Sequence, residues 1–161
     1  MVREELELNL ADELTNPKAH NELWLDFAAG LGLERTSVNQ AQPHPAAQNI
    51  VAAFSQLTQS GDAPALAALY AYESQQPEVV RQKADGLRAL YGVEDPETLA
   101  YFEVHARADL RHRAGERVAL ARCLDNGAPP DETLNAIWQA LESYWSLLDG
   151  VCGEAGISLT D

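Results

Sequence analysis

The chain has 161 residues, 46% of them hydrophobic, and its 25 acidic and 11 basic side chains give a formal charge of −14. This length predicts one domain over residues 1–161 with a core of ordinary size. The acidic excess argues against a nucleic-acid partner and against anionic membrane surfaces, because no basic patch is present to bind phosphate. No signal peptide or long apolar run begins the chain, and no paired cysteine motif occurs, so we expect a cytoplasmic protein.

Apolar residues recur at helical spacing along nearly the whole chain, and no alternating strand pattern or hairpin signal is present. The first two helices are predicted over residues 3–14 and 17–31, with Pro17 opening the second. The first helix carries Leu6, Leu10 and Leu14 at i, i+4 and i+8, and the apolar side of the second, expected to face the core, carries Leu23, Trp24 and Phe27. Residues 34–44 are polar and end at a proline-flanked histidine, His44, so they predict a loop in which His44 faces solvent.

The second half of the chain also predicts helices. A third helix covers residues 45–60, and a fourth covers residues 64–91, where Pro77 should kink it or divide it in two. Asp95 and Pro96 open a central helix that ends near residue 126. Asp131 caps a last helix whose predicted apolar face, at a spacing near 3.5 residues, consists of Leu134, Trp138, Leu141, Trp145 and Leu148. The fold class predicted from these patterns is an all-α bundle.

The central helix carries the most informative polar pattern. His105, Asp109 and His112 fall at i, i+4 and i+7, which places them on one stripe of the helix. Two imidazoles and a carboxylate are costly to bury without a partner, and they are groups that transition metals bind. This stripe therefore predicts a metal site.

Three further residues can complete such a site. Glu13 and His20 are seven residues apart, which puts them on one face if the break at Pro17 is only a kink, and Glu73 lies among apolar and aromatic neighbours. Helical bundles build two-metal sites from carboxylates and histidines that project inward from facing helices. The predicted ligands are Glu13, His20, Glu73, His105, Asp109 and His112.

The charge of this set is consistent with two cations. Three carboxylates offset most of the charge of two divalent ions, whereas three buried anions without metal would repel one another and take up protons. Mixed nitrogen and oxygen ligation suits iron or manganese, although it does not exclude zinc. The competing interpretation, surface residues that happen to fall at helical spacing, stays open above all for Glu13.

Two long stretches resemble a known family. Residues 70–93, YAYESQQPEVVRQKADGLRALYGV, and 95–117, DPETLAYFEVHARADLRHRAGER, resemble the CADD-type para-aminobenzoate synthases. These are haem-oxygenase-like di-metal oxidases, related to the PqqC and TenA folds. Residues 12–33, DELTNPKAHNELWLDFAAGLGL, are similar to the acidic and histidine-bearing ligand helix of that family. The resemblance implies a haem-oxygenase-like bundle that lacks the family's first one or two helices, and we expect the groove left uncovered to favour a homodimer.

The resemblance also implies a function. It implies two iron ions, or iron plus manganese, held by the six predicted ligands, with dioxygen as co-substrate. In such proteins a tyrosine of the chain becomes the ring of para-aminobenzoate, a folate precursor, and a lysine supplies its nitrogen. Lys83 matches that lysine, and Tyr72 and Tyr101 match tyrosines beside the metals. The tyrosine that is consumed in that family falls in the helices that this chain is expected to lack. Tyr72 or Tyr101 would then replace it as ring donor or act as an electron relay, another chain would complete the site, or the substrate would be a small molecule from outside.

Two other functions remain open from the residues themselves. One is a metal-free oxidase of a cofactor ring, as in PqqC, whose histidines would bind an organic acid. The other is a non-catalytic helical interaction module whose acidic surface binds a basic partner. From spacing alone, Lys83 is equally compatible with a solvated lysine, and Tyr72 and Tyr101 with packing residues.

Overall fold

A computed structural model of the chain describes residues 2–157, and these residues form eight helices and no strand. The helices are α1 (Val2–Thr15), α2 (His20–Gly30), α3 (Arg35–Gln40), α4 (Pro45–Leu57), α5 (Asp62–Glu73), α6 (Gln76–Tyr91), α7 (Pro96–Asp125) and α8 (Pro130–Glu154). The all-α prediction is confirmed. Within this described range, no helix combines the length and the apolar character needed to cross a membrane.

Backbone contacts divide the chain into two compact units. The first unit consists of Met1–Ala41 and Glu73–Gly115, and the second of Gln42–Tyr72 and Glu116–Asp161. The first unit therefore contains α1, α2, α3, α6 and most of α7. The single domain over residues 1–161 stays a prediction.

The core of the first unit forms between α2, α6 and α7. Its buried cluster consists of Phe27, Val80, Ala84, Leu99, Phe102 and Ala106. The Phe27 and Phe102 rings meet edge to face with centroids 5.0 Å apart. Near the end of α2, Gly30 approaches α7 so closely that a Cβ there would lie 2.0 Å from Thr98 Oγ1. These contacts fix α2 against α7, the two helices that carry His20 and His105.

Local signals set the ends of α6 and α7. Ser74 and Gln75 separate α5 from α6, and Pro77 lies in the first turn of α6, so the predicted division of this segment is confirmed. Gly92 ends α6 in the left-handed region at φ 66°. Asp95 then caps α7, since its Oδ2 accepts hydrogen bonds from the Thr98 backbone N–H at 2.8 Å and hydroxyl at 2.6 Å.

The apolar stripe of α1 is largely exposed, although Leu6 is half-buried. Leu10 and Leu14 are 57% and 59% exposed, whereas Asn9 is buried and Asp12 and Glu13 are half-buried. The polar side of α1 faces inward because it carries the carboxylates that meet α2 and α7. The same reversal applies to Trp24, which was expected in the core and is exposed.

The predicted loop over residues 34–44 is also partly wrong. Arg35–Gln40 forms α3, and the Arg35 guanidinium donates hydrogen bonds to Glu22 and, at 2.6 Å, to Asp26 on α2. His44 does not simply face solvent. It caps α4, because its Nδ1 accepts a hydrogen bond from the Ala46 backbone N–H at 3.2 Å.

In the second unit, α8 buries a different face from the predicted one. Its buried residues are Thr133, Ala136, Ala140 and Tyr144. Trp138 and Trp145 are each 59% exposed, and Leu134 is also exposed. The inner face consists largely of small residues because α8 packs closely on α4. At Gly150 a Cβ would lie 2.7 Å from Ala46 Cβ.

Candidate metal centre

Among the residues that the structure describes there are two groups of potential metal ligands, and both lie in the first unit. One consists of Glu13, His20 and His105, and the other of Glu73, Asp109 and His112. In each group the nitrogen and oxygen atoms that can bind a metal lie within 4.8 Å of one another. The structure thus gathers all six predicted ligands, three in each group.

The first group joins α1, α2 and α7. Glu13 Oε2 lies 2.8 Å from His20 Nδ1, and the rings of His20 and His105 have centroids 4.4 Å apart. The other nitrogen of each imidazole faces a backbone carbonyl: His20 Nε2 lies 3.3 Å from Asn16 O, and His105 Nδ1 lies 2.8 Å from Tyr101 O. A carbonyl only accepts, so these two nitrogens carry the protons. In the neutral rings, the lone pairs are left on His20 Nδ1 and His105 Nε2.

The second group joins the end of α5 to α7. His112 Nδ1 lies 3.2 Å from Glu73 Oε2 and 3.8 Å from Asp109 Oδ1. His112 is only 2% exposed and Asp109 is also buried. Beside Glu73, the Ser74 carbonyl accepts a hydrogen bond from Arg113 at 3.0 Å, which anchors the chain where it leaves α5.

Several of the atoms that face into these groups are buried without a hydrogen bond. Within the part of the chain that the structure describes, this holds for His20 Nδ1, Glu73 Oε2 and His112 Nδ1, although the two ring nitrogens lie within ion-pair distance of carboxylate oxygens, 2.8 Å from Glu13 Oε2 and 3.2 Å from Glu73 Oε2. Buried polar atoms left in this state cost free energy. A cation that accepts lone pairs from both a nitrogen and a carboxylate oxygen removes that cost. The residues present therefore fit metal ions of the kind that bind mixed nitrogen and oxygen ligands.

The electrostatics of the second group point the same way. Burial, and after it the negative charge of Glu73, raise the pKa of Asp109 to about 7. Burial lowers the pKa of His112, but Glu73, Asp12 and Asp109 more than offset it and raise that pKa to about 9. Asp109 and His112 therefore both bind protons readily beside the other carboxylates. A divalent cation would displace those protons and supply the positive charge in their place. In the first group, burial lowers the pKa of His105, which favours the neutral imidazole that binds metals.

The first group opens onto a cavity of about 450 Å³. Its lining residues are Glu13, His20, Asn21, Trp24, Leu25, Val38, Asn39, Tyr101 and His105. The Tyr101 ring lies 4.2 Å from the His105 ring and 5.0 Å from the Trp24 ring, measured between centroids. A volume of this order accommodates a small organic molecule.

The three other predicted site residues lie in different settings. Tyr101 adjoins His105, as described. Lys83 is exposed on α6 and belongs to neither group. Tyr72 lies in the second unit, where its ring packs edge to face with Phe54 at 5.8 Å and Tyr144 at 5.4 Å between centroids. The catalytic roles of Lys83, Tyr72 and Tyr101 stay predictions.

One carboxylate at the site was missed by sequence reasoning. Asp12 Oδ2 lies 3.2 Å from His112 Nε2 and accepts a hydrogen bond from Arg111 at 2.7 Å. Hydrogen bonds from Arg111 and Asn16 lower the pKa of Asp12 to about 2, so this carboxylate is ionised. Its sequence neighbour Glu13 was recognised by its helical spacing to His20. Asp12 has no such signal, because Arg111 and His112 lie about 100 residues away in the sequence.

A helical protein that gathers histidines and carboxylates from separate helices into adjoining donor groups has the construction of a non-haem metal protein. The family described as iron-containing redox enzyme, of the haem-oxygenase type, matches residues 1–145. The chain belongs to this family, and the predicted resemblance is confirmed. The iron of the family agrees with the nitrogen and oxygen ligands of the two groups.

The chain is also similar to individual proteins whose products are named. The chain is 37% identical over 151 residues to the 4-aminobenzoate synthase of Nitrosomonas europaea, covering 93% of this chain and 61% of that protein. It is 36% identical over 143 residues to the 4-aminobenzoate synthase of Chlamydia trachomatis, covering 88% and 61%. It is 29% identical over 161 residues to the 4-chloro-allylglycine synthase of Streptantibioticus cattleyicolor, covering 98% and 61%. The chain thus spans 61% of the length of each of these three relatives.

Proposed function

We propose that the chain provides the metal centre of a dioxygen-activating oxidase, with two iron ions, or iron plus manganese, held by the six predicted ligands. The observation that carries this proposal is the pair of donor groups, in which His20 Nδ1 and His112 Nδ1 are buried 2.8 Å and 3.2 Å from the carboxylate oxygens of Glu13 and Glu73. Family membership supports iron and redox chemistry. The ions would supply the electrons that the reduction of dioxygen needs.

The residues of the chain would prepare the site in three ways. The carboxylates of Glu13, Glu73 and Asp109 offset most of the charge of two divalent cations. The backbone carbonyls that face His20 and His105 keep the metal-facing nitrogens unprotonated. The buried apolar cluster between α2, α6 and α7 would limit the access of water from that side.

A metal-loading experiment tests this proposal. The chain would be loaded anaerobically with Fe(II), with and without Mn(II), freed of unbound metal, and measured by elemental analysis and dioxygen consumption. We expect two ions per chain, and a loss of metal in His105→Ala and Glu73→Ala. His44→Ala is the matched control, since His44 belongs to neither group. Fewer than two ions per wild-type chain, or equal losses in the control, would refute the proposal. Less than one ion per chain would favour the metal-free alternatives.

We further propose para-aminobenzoate as the product, with Lys83 as the nitrogen donor and Tyr101 or Tyr72 as ring donor or electron relay. The names of two relatives support the product. The chain has only two lysines, Lys18 and Lys83, so Lys18→Arg is a matched control for Lys83→Arg. We expect Lys83→Arg to abolish the product without changing metal content, and Lys18→Arg to retain it. Transfer of nitrogen-15 from labelled lysine to the product tests the donor directly, and an unlabelled product would remove Lys83 from the mechanism.

An external small molecule is a second candidate substrate. The cavity beside His20 and His105 supports it, as does the relative named 4-chloro-allylglycine synthase. A self-derived product cannot exceed one molecule per chain, whereas an external substrate allows many turnovers. Counting product molecules per chain with excess reductant and dioxygen therefore separates the two candidates.

Manganese, a homodimer and a cytoplasmic location also belong to the proposal. Sedimentation of the metal-loaded chain tests the dimer, and a mass equal to one chain at micromolar concentration would contradict it.

A further inference from the structure

Asp12 lies outside both donor groups and still contacts one of their histidines. We propose that Asp12 is the residue that positions His112 for metal binding, by accepting the Nε2 proton and leaving the Nδ1 lone pair directed at Glu73 and Asp109. The inference rests on the proposed function, because it requires that the second group holds an ion. It assigns Asp12 a positioning role, since its carboxylate acts only through the imidazole.

The two edges of the His112 ring face different partners. Nε2 lies 3.2 Å from Asp12 Oδ2, and Nδ1 lies 3.2 Å from Glu73 Oε2. A neutral imidazole has one N–H, and a carboxylate whose two oxygens already accept hydrogen bonds from Arg111 and Asn16 acts as an acceptor toward His112 as well. The proton therefore resides on Nε2 when a cation occupies the second group. The lone pair is then on the nitrogen that faces Glu73 and Asp109.

Asp12 is held in place independently of His112. Arg111 donates to its Oδ2 at 2.7 Å, and the Asn16 side-chain amide donates to its Oδ1 at 3.0 Å. Both carboxylate oxygens are thus fixed by other side chains. The imidazole docks against a preset acceptor, which fixes the plane of the ring as well as the position of its proton.

His112 differs in this respect from the other two histidines. His20 and His105 face neutral backbone carbonyls of Asn16 and Tyr101, whereas His112 faces an anion. An anionic acceptor raises the electron density of an imidazole more than a carbonyl does and makes it a stronger metal ligand. The ion in the second group should therefore depend on Asp12, and the ion in the first group should not.

Adjacent residues on α1 contact different groups, which allows the effect of Asp12 on one ion to be separated from a displacement of the whole helix. Asp12 supports the second group, and the next residue, Glu13, belongs to the first. A substitution at Asp12 that merely displaced α1 would disturb both groups together. A substitution that only removes the acceptor of His112 would weaken one ion of the two.

The test compares Asp12→Asn with a matched control, Asp26→Asn. Asp26 is also a half-buried aspartate of the first unit, with ion pairs to Lys18 and Arg35, but it belongs to neither group. The stepwise affinities of both ions are measured by competition with a chelator, using Fe(II) and, for its absorption spectrum, Co(II). We expect Asp12→Asn to retain one ion with wild-type affinity and to weaken the other by about 10- to 100-fold. Asp26→Asn should match wild type for both ions.

Two further variants separate positioning from folding. Asp12→Glu keeps the negative charge and should restore part of the lost affinity. Arg111→Gln leaves the carboxylate but removes one of its anchors, so we expect a smaller loss of the same ion. The melting temperature measured without metal should be similar in all of these variants, and the Co(II) spectrum should change for one ion only.

Each failure has its own signature. Fewer than two ions on the wild-type chain would contradict the two-ion proposal itself. Two ions bound equally well by wild type and Asp12→Asn would leave that proposal standing and overturn the role of Asp12. Equal weakening of both ions, together with a lower metal-free melting temperature, would show that Asp12 only holds α1 in place.

Discussion

Gly30 offers a quantitative test of how α2 is held against α7. In Gly30→Ala, the new Cβ would lie 2.0 Å from Thr98 Oγ1, 2.5 Å from its Cγ2 and 2.7 Å from its Cβ. Carbon atoms in contact are normally about 3.5–4.0 Å apart, so rotation of the Thr98 side chain cannot relieve the clash at Cβ. One helix must shift, and overpacking of this kind costs about 1–3 kcal/mol. We expect a loss of stability in that range.

Two other glycines provide controls for this substitution. At Gly86, inside α6, a Cβ would meet nothing within 4 Å, so Gly86→Ala should stabilise the chain by about 0.5–1 kcal/mol. At Gly115 the three atoms nearest to the Cβ all belong to the carboxylate of Glu5, with Oε1 at 1.6 Å, and that flexible side chain can move away. Gly115→Ala should therefore be close to neutral.

Urea unfolding without metal measures all three variants on one scale. The predicted order of stability is Gly86→Ala, then wild type and Gly115→Ala, then Gly30→Ala. The order would be refuted by a Gly30→Ala chain as stable as wild type, which would mean that α2 and α7 are not in contact at Thr98. The helix displacement in Gly30→Ala should also change metal affinity, because α2 carries His20 and α7 carries His105. Gly30→Ala should weaken metal binding in the first group.

Three further predictions follow from burial and charge. Phe102→Ala removes a ring from the centre of the first unit and should cost about 3–5 kcal/mol in urea unfolding, whereas Trp138→Gln should change stability by less than about 0.5 kcal/mol. Similar losses in the two variants would contradict the assigned burial. The pKa of Asp109 is raised to about 7 and that of His112 to about 9, so each side chain carries an extra proton when the pH is below its pKa. Metal binding should release these protons. Fe(II) or Co(II) affinity should accordingly rise between pH 6 and pH 8, and calorimetry in buffers of different ionisation enthalpy should detect more protons released at pH 6 than at pH 9. Proton release that does not vary with pH would refute this. Chelation should lower the melting temperature of the loaded chain, since metal at 100 times its Kd contributes about 2.7 kcal/mol.

Helical periodicity was sufficient for α7 but not for α1 or α8. On α7, the spacing of His105, Asp109 and His112 defines one stripe, and the structure places each of them in a donor group. On α1 and α8, the apolar pattern correctly grouped residues by face but not by burial. The inner face of α1 is polar because Asp12 and Glu13 contact His112 and His20 there, and that of α8 consists of small residues because α4 lies close. A hydrophobic pattern cannot identify the inner face of a helix when that face is polar or consists of small residues.

The division of the six residues into two groups also required the structure. Sequence spacing relates residues on the same helix, such as Asp109 and His112. It carries no information on which helix end meets another, so neither the pairing of Glu13 with His105 nor the contact between Asp12 and His112 could be predicted. Both depend on how α1 docks against α7.

The positions of the three tryptophans allow tryptophan fluorescence to report on the cavity. Trp138 and Trp145 on α8 are exposed and should be quenched readily by iodide, while Trp24 borders the cavity and touches Tyr101. Replacing the two α8 tryptophans by phenylalanine leaves a single emitter next to His20 and His105. Any compound that enters the cavity would then change the emission of that one indole, so a fluorescence titration could screen for occupants before their chemistry is known.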